Sequence, residues 1–273
     1  MQAHSLWTPP AGTLGAIVAE AEVRATAIAA RAHELENIVR SLQPARSLQQ
    51  SMRAETVALL AEVKRHSPSK GAIANGLNAA IQANAYAEGG ASGLSILTEP
   101  RHFGGSIDDL RDVVCQVALP VLKKDFHVHP AQLLEARAEG ASAALLIVRA
   151  VAPEQLADLM SCGLGLGLEL LVEVRDEAEL ELALSLGATM VGVNNRNLET
   201  LVIDLTTAER LIPRIPADVI AIAESGVSSQ ADVERYAAVG ADAVLVGSSL
   251  SAAADPIAAT RALAGVRRSD RAR

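Results

Sequence analysis

The chain has 273 residues, half of them hydrophobic, so it is long enough to bury a substantial core in one large domain or two small ones. Its 24 lysines and arginines against 32 aspartates and glutamates give a net charge of −8, which excludes a general affinity for nucleic acid or for an anionic membrane surface. An anionic ligand therefore needs a local binding site.

The two cysteines and the N-terminus both predict a cytoplasmic protein. Cys115 and Cys162 lie far apart, at neither metal-binding nor redox-motif spacing, which is typical of a reducing compartment. The N-terminus has no basic segment followed by an apolar core, and no run of about 18 apolar residues is present that could span a membrane.

Residues 1–50 are predicted to form a helical extension in front of the main domain. Two pieces have a helical pattern, "GTLGAIVAEAEVRATAIAARAHELENIVRSLQ" and "ARSLQQSM". At the other end, residues 266–273, with the charged sequence "RRSDRAR", are predicted to be a disordered tail.

Between residues 51 and 265 a strand-and-helix unit recurs. Four stretches resemble one another, each a helix end, a glycine and an apolar run: "AEGGASGLSIL", "AEGASAALLIV", "SLGATMVGV" and "AVGADAVLV". Four more apolar runs lie between them: "VALLAEVK", "LPVLKKDF", "LELLVEV" and "VIAIAES". Eight such units predict an α/β fold, a closed (β/α)8 TIM barrel rather than an open doubly wound sheet, with the extension packed on the barrel mouth.

Charged and polar residues stand at the ends of the predicted strands. The carboxyl ends of barrel strands meet at one mouth, where active sites form, so these side chains are predicted to face one another and to supply general acids and bases. Side chains alternate along a strand, so only one lysine of the adjacent pair can point to the barrel axis, and alternation does not say which. The strand-end residues are Glu62, Lys64, Lys123, Lys124, Asp125, Glu173, Asn194, Asn195, Arg196, Glu224 and Ser225.

Two loops and two aromatic residues predict where a ligand binds. "ESGVSSQ" and "VGSSL" follow the last two strands and combine glycine with serine before a helix, which is typical of a phosphate site in a barrel. Phe103 and Phe126 fall just past the second and third strands and are suited to a flat apolar group. His127 and His129 are predicted to be ordinary loop histidines, and no metal site is expected.

Taken together, seven ordered motifs resemble the indole-3-glycerol-phosphate synthase family over residues 13 to 265. They are "LLAEVKRHSPSKG", "SILTEPRHFGGS", "PVLKKDF", "LLVEVRDEAEL", "VGVNNRNL", "AESGV" and "VLVGSSL". The resemblance implies a carboxy-lyase of tryptophan biosynthesis that acts on 1-(2-carboxyphenylamino)-1-deoxyribulose 5-phosphate. Ring closure, loss of carbon dioxide and loss of water follow in order, with no cofactor.

The resemblance also implies a role for each matching residue. Lys124 corresponds to the general acid of ring closure, which makes it the inward lysine, and Glu173 to the acid/base of dehydration. Lys64 corresponds to a second lysine that meets the substrate carboxylate or acts in dehydration, and Glu62 to a carboxylate that orients the lysines. Asn194 and Glu224 would hold substrate hydroxyls and the reacting nitrogen. The phosphate side comprises Ser67, Arg196, Ser225, Gly226, Gly247 and Ser248, and the anthranilate pocket Phe103 and Phe126.

The extension departs from the family pattern, because Leu48 stands in a position that is usually aromatic and "AEAEVRA" replaces a more basic stretch. This difference leaves a non-catalytic, phosphate-binding relative of the barrel as an alternative. A phosphoribosylanthranilate isomerase is a weaker alternative, since it needs a cysteine at a strand end and neither cysteine lies at one. The partner expected is a small phosphorylated substrate, for a monomer or weak homo-oligomer.

Overall fold

The computed structural model describes residues 7–269 and residue 271, and it is built on a closed barrel of eight parallel strands. Around the barrel the strands follow the order β1-β10-β9-β8-β7-β6-β5-β4. A two-residue hairpin, β2 (His66–Ser67) with β3 (Gly71–Ala72), lies in the loop after the first strand. The barrel strands are β1 (Ala58–Val63), β4 (Gly93–Leu97), β5 (Val121–Lys124), β6 (Ala143–Ile147), β7 (Glu169–Val174), β8 (Met190–Asn194), β9 (Ile220–Glu224) and β10 (Ala243–Val246).

Helices surround this barrel and also precede it. Three lie in the N-terminal extension: α1 (Gly12–Ala29), α2 (Ala32–Ser41) and α3 (Leu48–Ser51). The others follow strands: α4 (Ala79–Glu88), α5 (Ile107–Gln116), α6 (Pro130–Ala138), α7 (Pro153–Gly165), α8 (Glu177–Ser185), α9 (Thr206–Leu211), α10 (Gln230–Ala238), α11 (Ser248–Ser251) and α12 (Pro256–Leu263). None of the helices in this described part of the chain is both long and apolar enough to cross a membrane.

The predicted TIM barrel is confirmed, and each of the eight apolar runs overlaps a barrel strand. The strands are buried on both faces, by side chains inside the barrel and by helices outside it, which is why they read as continuous apolar runs rather than as alternating ones. Turns enter the strands with glycines in the left-handed region, such as Gly140 (φ 85°) and Gly240 (φ 87°).

The two lysines at the end of β5 point in opposite directions. Lys123 is only 1% exposed and faces α6, where its Nζ lies 2.6 Å from Oε2 of Glu135. The Lys124 side chain points instead into the cavity at the mouth of the barrel. The pleat of the strand thus directs the buried, ion-paired Lys123 and the cavity-lining Lys124 to opposite faces of β5.

We expect Lys123→Met to lower the free energy of unfolding by about 2 kcal/mol, because it leaves the mostly buried Glu135 carboxylate without its cation. Urea unfolding of the two proteins measures this difference. The double variant Lys123→Met/Glu135→Leu is the matched control and should recover most of the loss. A single variant as stable as the parent would contradict a structural role for the pair.

The N-terminal extension contacts both ends of the barrel, with its first helix at the mouth. Helix α1 lies at the mouth, whereas Leu48 at the start of α3 is fully buried at the opposite end. There a Cβ on Gly93, the first residue of β4, would lie 2.6 Å from a Leu48 methyl, so Leu48 fills the space that this glycine leaves. The backbone N–H of Gln49 donates to Glu169 at the start of β7 (2.8 Å). An apolar Leu48 therefore closes the bottom of the barrel.

The expectation of a disordered tail is corrected for residues 266–269 and 271. Arg267 forms a bridge with Thr56, and the guanidinium groups of Arg268 and Arg271 lie 2.6 Å and 2.7 Å from the Asp242 carboxylate. A basic tail is ordered here because it neutralises a largely buried acid at the start of β10. The remaining positions of the predicted tail lie outside the described residues.

Candidate active site

One cavity of about 280 Å³ opens at the carboxyl ends of the barrel strands. The structure brings together around it the fourteen residues that the resemblance assigns to the site, although they are spread over more than 180 positions of sequence, whereas Lys123 and Asn195 lie outside it. The residues brought together are Glu62, Lys64, Ser67, Phe103, Lys124, Phe126, Glu173, Asn194, Arg196, Glu224, Ser225, Gly226, Gly247 and Ser248.

Lys124 stands among the carboxylates of this cavity. Its Nζ lies 3.3 Å from Oε2 of Glu173 and 3.6 Å from Oε2 of Glu224. Burial lowers the pKa of Lys124, but the negative charges of Glu173, Glu224 and Glu62 outweigh that effect and hold its pKa above the ordinary value. The side chain is therefore a firmly charged ammonium, able to neutralise negative charge on a ligand.

Glu173 is held on both of its oxygens. Oε2 faces Lys124, and Oε1 accepts a hydrogen bond of 2.8 Å from Nδ2 of Asn194. Asn194 is itself oriented, since its Oδ1 accepts the backbone N–H of Arg196 (2.9 Å). The carboxylate of Glu173, at the end of β7 and only 3% exposed, thus has a fixed direction toward the cavity.

Lys64 and Glu62 form a second charged pair, at the end of β1. Their Nζ and Oε1 atoms are 2.9 Å apart, and Ser95 donates to the other oxygen of Glu62 (3.3 Å). Burial raises the pKa of Glu62, but Lys64 and Lys124 outweigh it and hold that pKa below the ordinary value. Glu62 is therefore a buried carboxylate between the two lysines.

Glu224, at the end of β9, is a fully buried carboxyl group whose pKa is strongly raised. Burial raises its pKa to about 8, the negative charges of Glu173 and Glu62 add to the rise, and Lys124 opposes it. Its Oε1 has no hydrogen-bond partner among the residues that the structure describes. With a proton on Glu224, the cluster pairs two ammonium groups, Lys64 and Lys124, with two carboxylates, Glu62 and Glu173.

Gly192 in β8, which was not among the predicted site residues, makes room for Glu224. A Cβ on this glycine would lie 2.0 Å from Oε1 of Glu224. A glycine inside a strand often marks a position where another group approaches closely. Gly192, between two valines in "VGVNN", could therefore have been predicted to adjoin such a group. Leu145, Ile147 and Lys70 also line the cavity without having been singled out.

Two phenylalanines form an aromatic wall on one side of the cavity. The ring centroids of Phe103 and Phe126 are 6.0 Å apart with an angle of 35° between the planes. Nζ of Lys64 lies 5.6 Å from the Phe103 centroid. This wall offers a flat aryl group apolar contact next to an ammonium that can meet a carboxylate.

The glycine and serine loops after β9 and β10 lie on another side of the same cavity. Ser225 and Gly226 both have a positive φ, 66° and 86°, which turns the loop at the strand end. Gly247 precedes α11, and a Cβ there would lie 2.4 Å from Oε1 of Glu62. Any side chain larger than that of glycine at position 247 would therefore collide with the Glu62 carboxylate.

Several polar residues near the strand ends are directed away from the cavity. Asn195 donates to the Ser225 carbonyl and to the Tyr236 hydroxyl, both at 2.9 Å. Nδ1 of His127 lies 2.7 Å from the Leu145 carbonyl oxygen, and His129 caps the N-terminus of α6. The histidines therefore serve the local structure of the loop after β5.

Comparison with known proteins relates most of this chain to one family. The family model described as indole-3-glycerol phosphate synthase matches residues 14–263. The indole-3-glycerol phosphate synthase of Mycolicibacterium smegmatis is 44% identical over 82% of this chain and 82% of its own length. That of Mycobacteroides abscessus is 49% identical over 76% of each chain. A 3-hexulose-6-phosphate synthase from Salmonella typhimurium superimposes with a TM-score of 0.61 at 16% identity, over 76% of this chain and 96% of its own, which supports the fold alone.

Proposed function

This chain belongs to the indole-3-glycerol phosphate synthase family and carries that activity, and from this premise we propose how its residues divide the reaction. The substrate is 1-(2-carboxyphenylamino)-1-deoxyribulose 5-phosphate. It yields indole-3-glycerol phosphate, carbon dioxide and water, so we class the enzyme as a carbon–carbon lyase of the carboxy-lyase type. One observation above all supports the assignment of roles, the Lys124 ammonium held between Glu173 and Glu224 at the mouth.

Lys124 is the general acid of ring closure. The ring carbon that bears the carboxylate attacks the ribulose carbonyl, and negative charge develops on the carbonyl oxygen as the new carbon–carbon bond forms. A positioned ammonium neutralises this alkoxide and gives it a proton. The three carboxyl groups around Lys124 keep it charged until that moment.

Decarboxylation then needs no external electron acceptor. The electron pair of the breaking bond to carbon dioxide returns to the ring, which regains aromaticity as the positively charged nitrogen recovers its lone pair. Lys64 lies between Glu62 and the aromatic wall and is placed to meet the substrate carboxylate before it leaves. Both the wall and the ammonium favour the aryl end of the substrate on this side of the cavity.

Glu173 serves the last step, the loss of water. The hydroxyl made from the carbonyl oxygen leaves as water after it receives a proton from an acid. A base removes a proton from the neighbouring carbon. A carboxyl group close to both atoms is suited to either transfer. Glu173 is fixed by Asn194 and accepts a hydrogen bond from the Lys124 ammonium, so the acid of ring closure and the carboxylate of dehydration are neighbours. Protonated Glu224 provides a donor for a substrate hydroxyl or for the reacting nitrogen.

The phosphate of the substrate binds at the loops after β9 and β10. Ser225, Gly226 and Ser248 offer backbone N–H groups and hydroxyls, while Ser67 and Arg196 line the same cavity. A protein with a net charge of −8 requires such a local site for a dianion.

Ser248→Asp tests the phosphate position. A carboxylate at the first residue of α11 suits the helix but repels the dianion, so we expect KM to rise about tenfold or more and inhibition by inorganic phosphate to disappear. Steady-state kinetics with added phosphate measures both. The control is Ser185→Asp on the exposed end of α8, and an unchanged KM in Ser248→Asp would place the phosphate elsewhere.

We further propose that the enzyme works in the cytoplasm as a monomer or weak homo-oligomer. Both cysteines are free thiols, which suits a reducing compartment.

A further inference from the structure

The loop that carries Phe103, residues 98–105, is organised around one buried acid. Glu99 is fully buried, and its carboxylate accepts the backbone N–H groups of three residues in the same loop. Those of Arg101, His102 and Phe103 lie at 3.0, 2.6 and 3.0 Å. The Glu99 carbonyl oxygen also accepts the N–H of Gly105 at 2.9 Å, so one residue sets the course of the whole loop.

This arrangement fixes the start of the Phe103 side chain. The backbone N–H of Phe103 is bonded to Oε2 of Glu99, and its ring stands 6.0 Å from that of Phe126. A carboxylate that accepts several N–H groups forms strong, charge-assisted hydrogen bonds. The position of one half of the aromatic wall therefore depends on Glu99.

A second acid holds the other half of the wall. Asp125 lies between Lys124 and Phe126, and its Oδ1 accepts the Phe126 backbone N–H at 2.8 Å. Its Oδ2 accepts the hydroxyl of Thr98 at 2.6 Å, which ties it to the beginning of the Phe103 loop.

Arg24 of α1 joins the two acids. Its Nη1 lies 3.2 Å from Glu99 and its Nη2 2.7 Å from Asp125. One guanidinium from the extension thus links two carboxylates, each of which is bonded to the N–H of one phenylalanine. Arginine suits this position because its planar group presents several donors in fixed directions.

Glu20 makes a second link from α1 to the same loop. Together with Glu99 and His102 it forms a cluster that is either a metal site or a structural network of ion pairs. Ligand atoms of Glu20, Glu99 and His102 lie close enough together to hold a metal ion. However, Glu99 already accepts three N–H groups and Arg24, while Glu20 lies 2.8 Å from Arg101 and 3.2 Å from His102. The carboxylates are compensated by protein groups, so their geometry is that of a structural network.

We propose that Glu99 is a positioning residue for the aryl end of the substrate, and that Arg24 couples this position to the docking of α1. The proposal rests on the function above, in which the wall of Phe103 and Phe126 receives the anthranilate ring. Neither Glu99 nor Arg24 lines the cavity, so each acts through residues that do, Glu99 through Phe103, and Arg24 through Asp125 and the two phenylalanines.

Glu99→Gln tests the proposal, since glutamine keeps the size of the side chain and removes its charge. The glutamine has one acceptor oxygen. If that oxygen accepts the N–H groups of His102 and Phe103, the amide NH₂ must point toward Arg24, and two hydrogen-bond donors then face each other. We expect KM for the substrate and the dissociation constant of 2-aminobenzoate, an aryl probe without phosphate, each to rise about fivefold. The inhibition constant of inorganic phosphate should stay within about twofold.

Arg24→Gln is the second variant, and it decides the question if Glu99→Gln does not fold. Its side chain is 25% exposed, and its replacement leaves Glu99 in the loop. It should shift the same two constants in the same direction, with less than a multiplicative effect in the double variant. Glu22→Gln, an exposed acid on the same helix, is the matched control and should change none of them.

Equal weakening of 2-aminobenzoate and of phosphate, or unchanged binding of both in the two variants, would overturn the proposal. A parent protein that binds no 2-aminobenzoate would also overturn it. A parent protein that binds both probes but forms no indole would overturn the proposed function instead, and a selective loss of 2-aminobenzoate in its variants would still support the positioning role.

Discussion

Lys124→Met is expected to lower turnover by about a hundredfold or more while substrate affinity changes only a few-fold. The ammonium acts chiefly on charge that appears during ring closure, so its removal costs little in the bound substrate and much in the transition state. Methionine has a similar length and no proton to give. Steady-state kinetics together with substrate binding at equilibrium separates the two effects.

Lys123→Met is the matched control for this substitution, because it makes the same change one residue earlier on the opposite face of β5. It should reduce stability and leave the turnover of the folded protein close to that of the parent. Equal losses of turnover in the two variants would contradict the direction assigned to the lysines.

Glu173→Gln is expected to lower the rate of indole formation by about a hundredfold, since the amide can neither take nor give the proton that the loss of water requires. Ring closure and decarboxylation precede that step. In a single turnover, therefore, the variant should release carbon dioxide before indole fluorescence appears. Rapid-quench measurement of carbon dioxide and stopped-flow fluorescence of indole would show the delay.

Glu169→Gln, at the other end of the same strand, is the control for Glu173. It contacts Ser47 and Gln49 at the bottom of the barrel, so it should affect stability rather than chemistry. If carbon dioxide and indole are slowed together in Glu173→Gln, the carboxylate acts in ring closure, and the division of roles between Glu173 and Lys124 is wrong.

The barrel itself could be predicted from the sequence, because its strands are buried on both faces and its helices end in glycine at regular intervals. The same regularity placed Lys64, Lys124, Glu173, Asn194 and Glu224 at strand ends. Which lysine faces the axis could not be read from alternation, since a strand offers two equivalent faces until its neighbours are known. Only the resemblance to a family distinguished Lys124 from Lys123.

Other features depend on contacts between distant parts of the chain. Burial and the negative charges of Glu173 and Glu62 raise the pKa of Glu224, whose Oε1 occupies the space left by the missing side chain of Gly192. Glu99 and Arg24 together determine the conformation of the Phe103 loop. The burial of Leu48 depends on a missing side chain at Gly93. Apart from Glu99, which lies two to four residues from the N–H groups that it accepts, these partners are far apart in sequence, so local patterns do not reveal them.

The formation of indole-3-glycerol phosphate by the parent protein is the most direct test of the proposed active site. The purified chain, given 1-(2-carboxyphenylamino)-1-deoxyribulose 5-phosphate and no metal or organic cofactor, should produce indole fluorescence and one carbon dioxide for each indole formed. The same assay with Lys124→Met should remain at about a hundredth of that rate or less. A folded parent protein that binds the substrate and releases neither product would contradict the proposed active site.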